Sequence, residues 1–155
     1  MDLETLKKEY AVLAKKYKLP VFEKLNQDFE IDRITIQSDC LVRAVRKVMM
    51  EKVVGWLRFF EMVMNPASAP RIFHQYIKNM SVDEKNLIEI IYNSLGEINM
   101  KALGLEVEYS EKEEAAMIKF IVERNDELKP KLKKVIKGVI EPNESGVKKE
   151  RNYFG

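Results

Sequence analysis

The sequence contains very little cysteine, histidine, glycine or proline. The single cysteine, Cys40, excludes an internal disulfide, so we expect a reducing, cytoplasmic setting. With one histidine, His74, the chain also lacks the roughly four nitrogen or sulfur ligands of a structural zinc site. Six glycines and five prolines in 155 residues favour helices over a turn-rich β fold. These absences predict an all-α protein without a metal or other cofactor.

Several functional motifs are also missing. Neither a GxGxxG nor a GxxxxGK[ST] sequence is present, so no phosphate-binding loop is predicted. The net charge of +2 is too small to indicate nucleic-acid binding by itself. The first ten residues, MDLETLKKEY, lack the apolar segment of a signal peptide. Charged residues interrupt every long apolar run, so we expect no contact with a membrane.

The longest apolar-rich run covers residues 38–65 and contains the only tryptophan, Trp56. At about 100° per residue its apolar positions form a broad arc, which predicts a central helix in contact with several others. Ser38 and Asp39 suit the helix N-terminus, and Pro66 ends the helix. The solvent-facing arc is mixed in sign and comprises Arg43, Lys47, Glu51, Arg58 and Glu61.

Helical spacing recurs on both sides of this run. Capping boxes at 81–84 and 110–113 predict two further long helices, the second of which should be kinked or split by Pro130. We therefore expect a compact all-α bundle of about five or six helices around the central helix. The alternation in 105–109 leaves open a minor two-stranded ribbon with 31–36. Residues 1–141 would form a single helical domain, and 142–155 a flexible C-terminal tail.

Four apolar residues are candidate partner-docking positions. Tyr153 and Phe154 follow a charged linker, and they could bind another protein or fold back onto their own domain. Met50 and Val54 lie outside the main apolar arc of the central helix, so any exposed part of them would offer a docking edge.

Basic residues near the C-terminus are the candidate polyanion-binding set. They could follow a phosphate backbone, although lysines also favour a helix C-terminus for electrostatic reasons. The set comprises Lys129, Lys133, Lys134, Lys137, Lys148, Lys149 and Arg151.

Glu114 is the one carboxylate that helix-terminus electrostatics does not explain, because it shares an apolar stripe with Met117 and Ile121. It needs a partner from another element, or it belongs to a catalytic site. Arg124 lies on the same stripe about 15 Å away, too far for a direct pair.

No residue pattern specifies a substrate. The sequence favours a non-enzymatic helical protein–protein interaction module with a C-terminal aromatic tail, whose partner is another protein or a second copy. The alternative is a nucleic-acid-associated protein that uses the lysine-rich helix and tail. An enzyme centred on Glu114 is the third hypothesis.

Overall fold

A computed structural model describes residues 1–35 and 40–141. Within these ranges the chain is an all-α bundle of six helices without a β-strand. The helices are α1 (Leu3–Tyr17), α2 (Phe22–Phe29), α3 (Leu41–Met64), α4 (Arg71–Asn79), α5 (Val82–Val107) and α6 (Glu111–Ile140). Short 3-10 turns at Ile31–Arg33 and Pro66–Ser68 connect helices on either side of α3.

The predicted central helix is α3, which packs against both α5 and α6 and also contacts α1 and α2. Its buried apolar residues include Val45, Met49 and Phe60. Because α3 contacts four other helices, its apolar arc has to be broad. The predicted cap residues Ser38 and Asp39 lie outside the described residues.

Helix α5 runs antiparallel to both α3 and α6. Arg46 near the start of α3 reaches Glu106 near the end of α5, whereas Glu61 near the end of α3 accepts a hydrogen bond from Tyr92. The α5–α6 pair is similarly reversed, because Gly138 near the end of α6 lies beside Glu84 at the start of α5, whereas Arg124 in the middle of α6 bonds Glu97 further along α5. The buried residues of all these elements form one hydrophobic cluster.

Side-chain caps set the starts of the two longest helices. Ser81 and Glu84 form the predicted reciprocal capping box of α5. Ser110 accepts the Glu113 N–H at 3.4 Å and begins α6. Pro130 was predicted to kink or split this helix, and because α6 continues through Pro130 the split is wrong, whereas the kink stays a prediction.

The minor ribbon that the sequence left open, between 31–36 and 105–109, is not present in the described residues, which exclude residue 36. Ile31–Arg33 is a 3-10 turn, and Leu105 to Val107 form the last turn of α5, beyond Gly104. Arg43 donates from Nη2 to the Leu105 carbonyl at 2.7 Å, which satisfies one of the last carbonyls of the helix. The alternating pattern that indicated a strand is thus the buried Leu105 followed by four exposed residues, of which only Glu106 and Val107 are still helical.

Candidate functional site

Glu114 lies at the centre of a buried ion network between α3 and α6. Its side chain is 0% exposed, and that of Arg46 is 3% exposed. Arg46 Nε donates to Glu114 Oε2 at 2.8 Å, and Arg43 Nε donates to Oε1 at 2.8 Å. Arg46 Nη2 also donates to Glu106 Oε1 at 2.6 Å. The network therefore connects α3 to α6 and to the end of α5.

The arginines keep this carboxylate ionised. Burial raises the pKa of Glu114, but hydrogen bonds from Arg46 and Arg43 outweigh burial and hold the pKa below its ordinary value. Both oxygens already accept hydrogen bonds, and the side chain has no contact with solvent. The partner that the sequence required for Glu114 is therefore this pair of arginines. Arg124, the other charged residue of that stripe, instead pairs with Glu97 and Glu127.

Neither a metal site nor a membrane-spanning helix is present in the described residues. Over residues 1–35 and 40–141 no group of three or more His, Cys, Asp or Glu side chains could hold a metal ion. None of the helices in this part of the chain is long and apolar enough to cross a bilayer. His74 is exposed, and its Nε2 lies 2.9 Å from the Ala69 carbonyl oxygen.

The lysines of the candidate polyanion-binding set differ in environment. Lys129 Nζ contacts both carboxylate oxygens of the buried Asp28, at 2.6 and 2.8 Å, so its charge is neutralised within the fold. Lys133, Lys134 and Lys137 are exposed. The remaining members, Lys148, Lys149 and Arg151, lie outside the described residues.

The candidate docking residues are similarly divided. Met50 is 7% exposed and belongs to the hydrophobic core, so it offers no docking edge. Val54 is half-buried against the same core. Met50 and Val54 are covered because several helices pack around α3 and leave little of its apolar surface exposed. Tyr153 and Phe154 lie outside the part of the chain that the structure describes.

An exposed apolar surface lies on the outer side of α5. Met100, Leu103 and Val107 are 69%, 53% and 88% exposed. With Gly96 and Gly104 they follow a spacing of three and four residues, which places all five on one side of the helix. We call these five residues the α5 patch. The sequence reasoning missed it, although α5 carries apolar residues on more than one side, which was the available signal.

No close packing within the described residues requires glycine at the two glycine positions of the α5 patch. A Cβ atom built at Gly96 or Gly104 meets no atom within 4 Å outside the local helix backbone. Glycine inside a helix costs about 1 kcal/mol relative to alanine. Both positions therefore leave room for another backbone to approach the helix closely.

Opposite charges border the α5 patch along one edge. Glu97 and Lys101 lie one turn apart with Nζ and Oε1 separated by 3.6 Å, and Arg124 of α6 binds Glu97 at 3.3 Å. Lys101 and Arg124 also lie over the ring of Phe120, 4.5 and 5.1 Å from its centroid. The patch therefore has an apolar centre and a polar rim, as protein interfaces do.

Comparisons with protein-family models, with curated proteins and with solved structures find no match to this chain. The functional assignment therefore rests on the geometry of the chain.

Proposed function

We propose that this protein is a non-enzymatic helical interaction module that docks a second copy of itself along the α5 patch. The observation that carries the proposal is the exposure of Met100, Leu103 and Val107 side by side on one helix. Apolar residues exposed singly are normal on a protein surface, whereas contiguous ones indicate an interaction site. A helix with apolar residues on several sides is typical of one that is covered on several sides.

The charges of the α5 patch favour a second copy as the partner. Met100 lies midway between Gly96 and Gly104, and Glu97 and Lys101 lie to either side of it on one edge. Reversal of the helix about this midpoint exchanges the two glycines and brings Glu97 of one copy near Lys101 of the other. An antiparallel pair with twofold symmetry therefore matches apolar to apolar surface and opposite charges to each other.

Multi-angle light scattering and sedimentation velocity over a range of concentrations test this proposal. We expect the wild-type chain to dimerise. Met100→Glu should raise the dimer dissociation constant at least about tenfold, because two like charges would meet near the symmetry axis. Ile72→Glu is the matched control, since Ile72 of α4 is exposed but lies outside the patch. It should leave the dissociation constant unchanged.

Two results would overturn the proposal. The first is a wild-type chain that stays monomeric at every concentration. The second is an equal loss of dimer in Met100→Glu and Ile72→Glu, which would indicate non-specific hydrophobic association. Circular dichroism of each variant separates a loss of association from a loss of folding.

The alternative function, association with a nucleic acid, is favoured by the exposed Lys133, Lys134 and Lys137. It would use the lysines of the tail as well. Duplex DNA and RNA titrated at low salt distinguish it, because phosphate contacts weaken steeply as salt is added. No binding at low salt would remove this alternative and would leave the dimer proposal intact.

A further inference from the structure

A narrow cleft lies at the end of the bundle where α4, the start of α5 and the last turns of α6 meet. Its volume is about 240 Å³, roughly that of eight water molecules in the liquid, so it suits a molecule of about eight non-hydrogen atoms. Leu87 and the buried Val135 form its apolar walls, and Tyr76 and Glu84 supply polar groups beside them. A small molecule with both an apolar and a polar part therefore fits this space.

The Tyr76 hydroxyl is a buried donor without an acceptor. The residue is 5% exposed, yet its hydroxyl has no hydrogen-bond partner among residues 1–35 and 40–141. Burial raises the pKa of Tyr76 to about 12, and the charge of Glu84 adds to this shift. The hydroxyl therefore keeps its proton at neutral pH and can donate. Because an unpaired buried donor is unfavourable and rare, an acceptor that enters the cleft would gain a ready partner.

Glu84 offers an acceptor close to this donor. Its Oε2 accepts hydrogen bonds from the backbone N–H and the hydroxyl of Ser81, at 2.8 and 2.9 Å, which holds the carboxylate in place. Its Oε1 accepts no hydrogen bond from the part of the chain that the structure describes. A Cβ atom built at Gly138 would lie 3.0 Å from Oε1 and 3.6 Å from Tyr76 Cε2, the ring carbon next to the one that bears the hydroxyl. The open acceptor and the open donor thus approach each other beside Gly138.

The rim of the cleft is balanced in charge. Lys134, Lys137 and Glu141 are exposed and line the cleft, and they form no ion pair with any described residue. Together with Glu84 they give two positive and two negative charges. Such a rim complements a molecule that carries one charge of each sign better than it complements a simple anion or cation.

We propose that this cleft binds a small α-amino acid with a short apolar side chain. The carboxylate of the amino acid accepts a hydrogen bond from the Tyr76 hydroxyl and pairs with Lys137. The ammonium group donates to Glu84 Oε1, and the side chain contacts Leu87 and Val135.

An α-amino acid suits this geometry because its two charged groups are attached to one carbon. Glu84 Oε1 and the hydroxyl-bearing end of the Tyr76 ring both lie beside Gly138, so two groups on neighbouring bonds can reach them. The cleft is separate from the α5 patch, which lies further along α5. Amino-acid binding and dimerisation are therefore independent, and failure of one would leave the other intact.

Titration of the isotope-labelled full-length chain with L-valine, followed by two-dimensional NMR, tests the proposal. L-valine has the size that the cleft admits. We expect saturable shifts of the backbone amides in residues 76–87 and 134–141, with a dissociation constant on the order of 1 mM for so small a ligand. Isovalerate lacks the ammonium group and isobutylamine lacks the carboxylate, so each should bind at least about tenfold more weakly.

Two variants locate the bound amino acid. Tyr76→Phe removes only the hydroxyl and should raise the dissociation constant for L-valine about tenfold, as expected for a hydrogen bond to a charged group. Without ligand the same change should leave stability unchanged or raise it, because the hydroxyl has no partner to lose. Lys137→Met should raise the dissociation constant up to about fivefold, since this lysine is exposed. Lys133→Met is the matched control, because Lys133 is exposed on the same helix but does not line the cleft, and it should have no effect.

Three results would overturn the proposal, provided that the NMR spectrum of each variant shows a retained fold. The first is the absence of saturation up to about 50 mM L-valine, which would leave the cleft to water alone. The second is isovalerate binding as tightly as L-valine, because the cleft would then recognise a simple anion. The third is an equal weakening in Tyr76→Phe and Lys133→Met, which would place the bound valine elsewhere.

Discussion

Replacement of Glu114 by glutamine tests the interpretation of the buried ion network as the connection between helices. The change keeps the shape of the side chain and removes its charge. Arg46, which is 3% exposed, would then lose its main buried partner and retain Glu106, whose side chain is 43% exposed. Arg43 would lose the same partner at the rim.

The size of the effect follows from this burial. Removal of one partner from a buried ion pair costs about 3–5 kcal/mol. Since Glu106 still binds Arg46, we expect about 3 kcal/mol, the lower end of that range. For a chain of this length that corresponds to a fall in Tm of roughly 6–12 °C.

Thermal unfolding followed by circular dichroism at pH 7 measures this change. Glu111→Gln is the matched control, because Glu111 begins the same helix and pairs with Lys16 on the surface. Surface pairs contribute at most about 1 kcal/mol, so the control should lose far less stability. Equal losses in Glu111→Gln and Glu114→Gln would refute the assignment of a buried network.

The pH dependence provides a second check on Glu114. Its pKa in the folded state is below the ordinary value of 4.5, so its ionised form stabilises the fold above that pH. This stabilisation is lost as the pH falls through the folded-state pKa. The difference in stability between wild type and Glu114→Gln should therefore shrink on acidification. A difference that stays constant from pH 7 to pH 3 would contradict the argument.

Two further predictions concern glycine and lysine positions. The double change Gly96→Ala and Gly104→Ala should stabilise the monomer by about 2 kcal/mol in total and should weaken the dimer. Gly55→Ala is the control, because Gly55 also lies in open space but outside the α5 patch, so this change should stabilise the monomer and leave the dimer unchanged. Urea unfolding and sedimentation measure both effects, and a dimer strengthened by the double change would contradict close backbone approach. Lys129→Met should lower stability by about 1 kcal/mol through its pair with Asp28, as thermal unfolding would detect. No loss of stability would contradict that role.

The sequence was sufficient to predict the features that depend on residues close together along the chain. The period of the apolar residues gave the all-α fold and the central helix, because a helix places residues three and four apart on one side. The Ser81–Glu84 pattern gave the start of α5, because both hydrogen bonds of a capping box lie within one turn. These features require no knowledge of how the helices are arranged.

The errors arose where a distant residue decides the outcome. The alternation in 105–109 indicated a strand, but Arg43, which is 62 positions away in sequence, binds the Leu105 carbonyl and the helix continues to Val107. The pairing of Glu114 with Arg46 spans 68 positions. One signal for that pairing was present, since Arg46 and Glu114 are each charged residues among the buried apolar residues of a long helix. Two such residues of opposite charge on different helices are natural partners.

The ion network and the α5 patch are physically connected. Arg43 and Arg46 hold Leu105 and Glu106, and these two residues lie in the same turn as Val107 of the patch. The last turn of a helix is where fraying is easiest, because its carbonyls lack partners. By fixing this turn, Arg43 and Arg46 keep Val107 in line with Met100. A surface that is already ordered loses less conformational entropy on association, so the ion network would favour the proposed docking at a site that it does not touch.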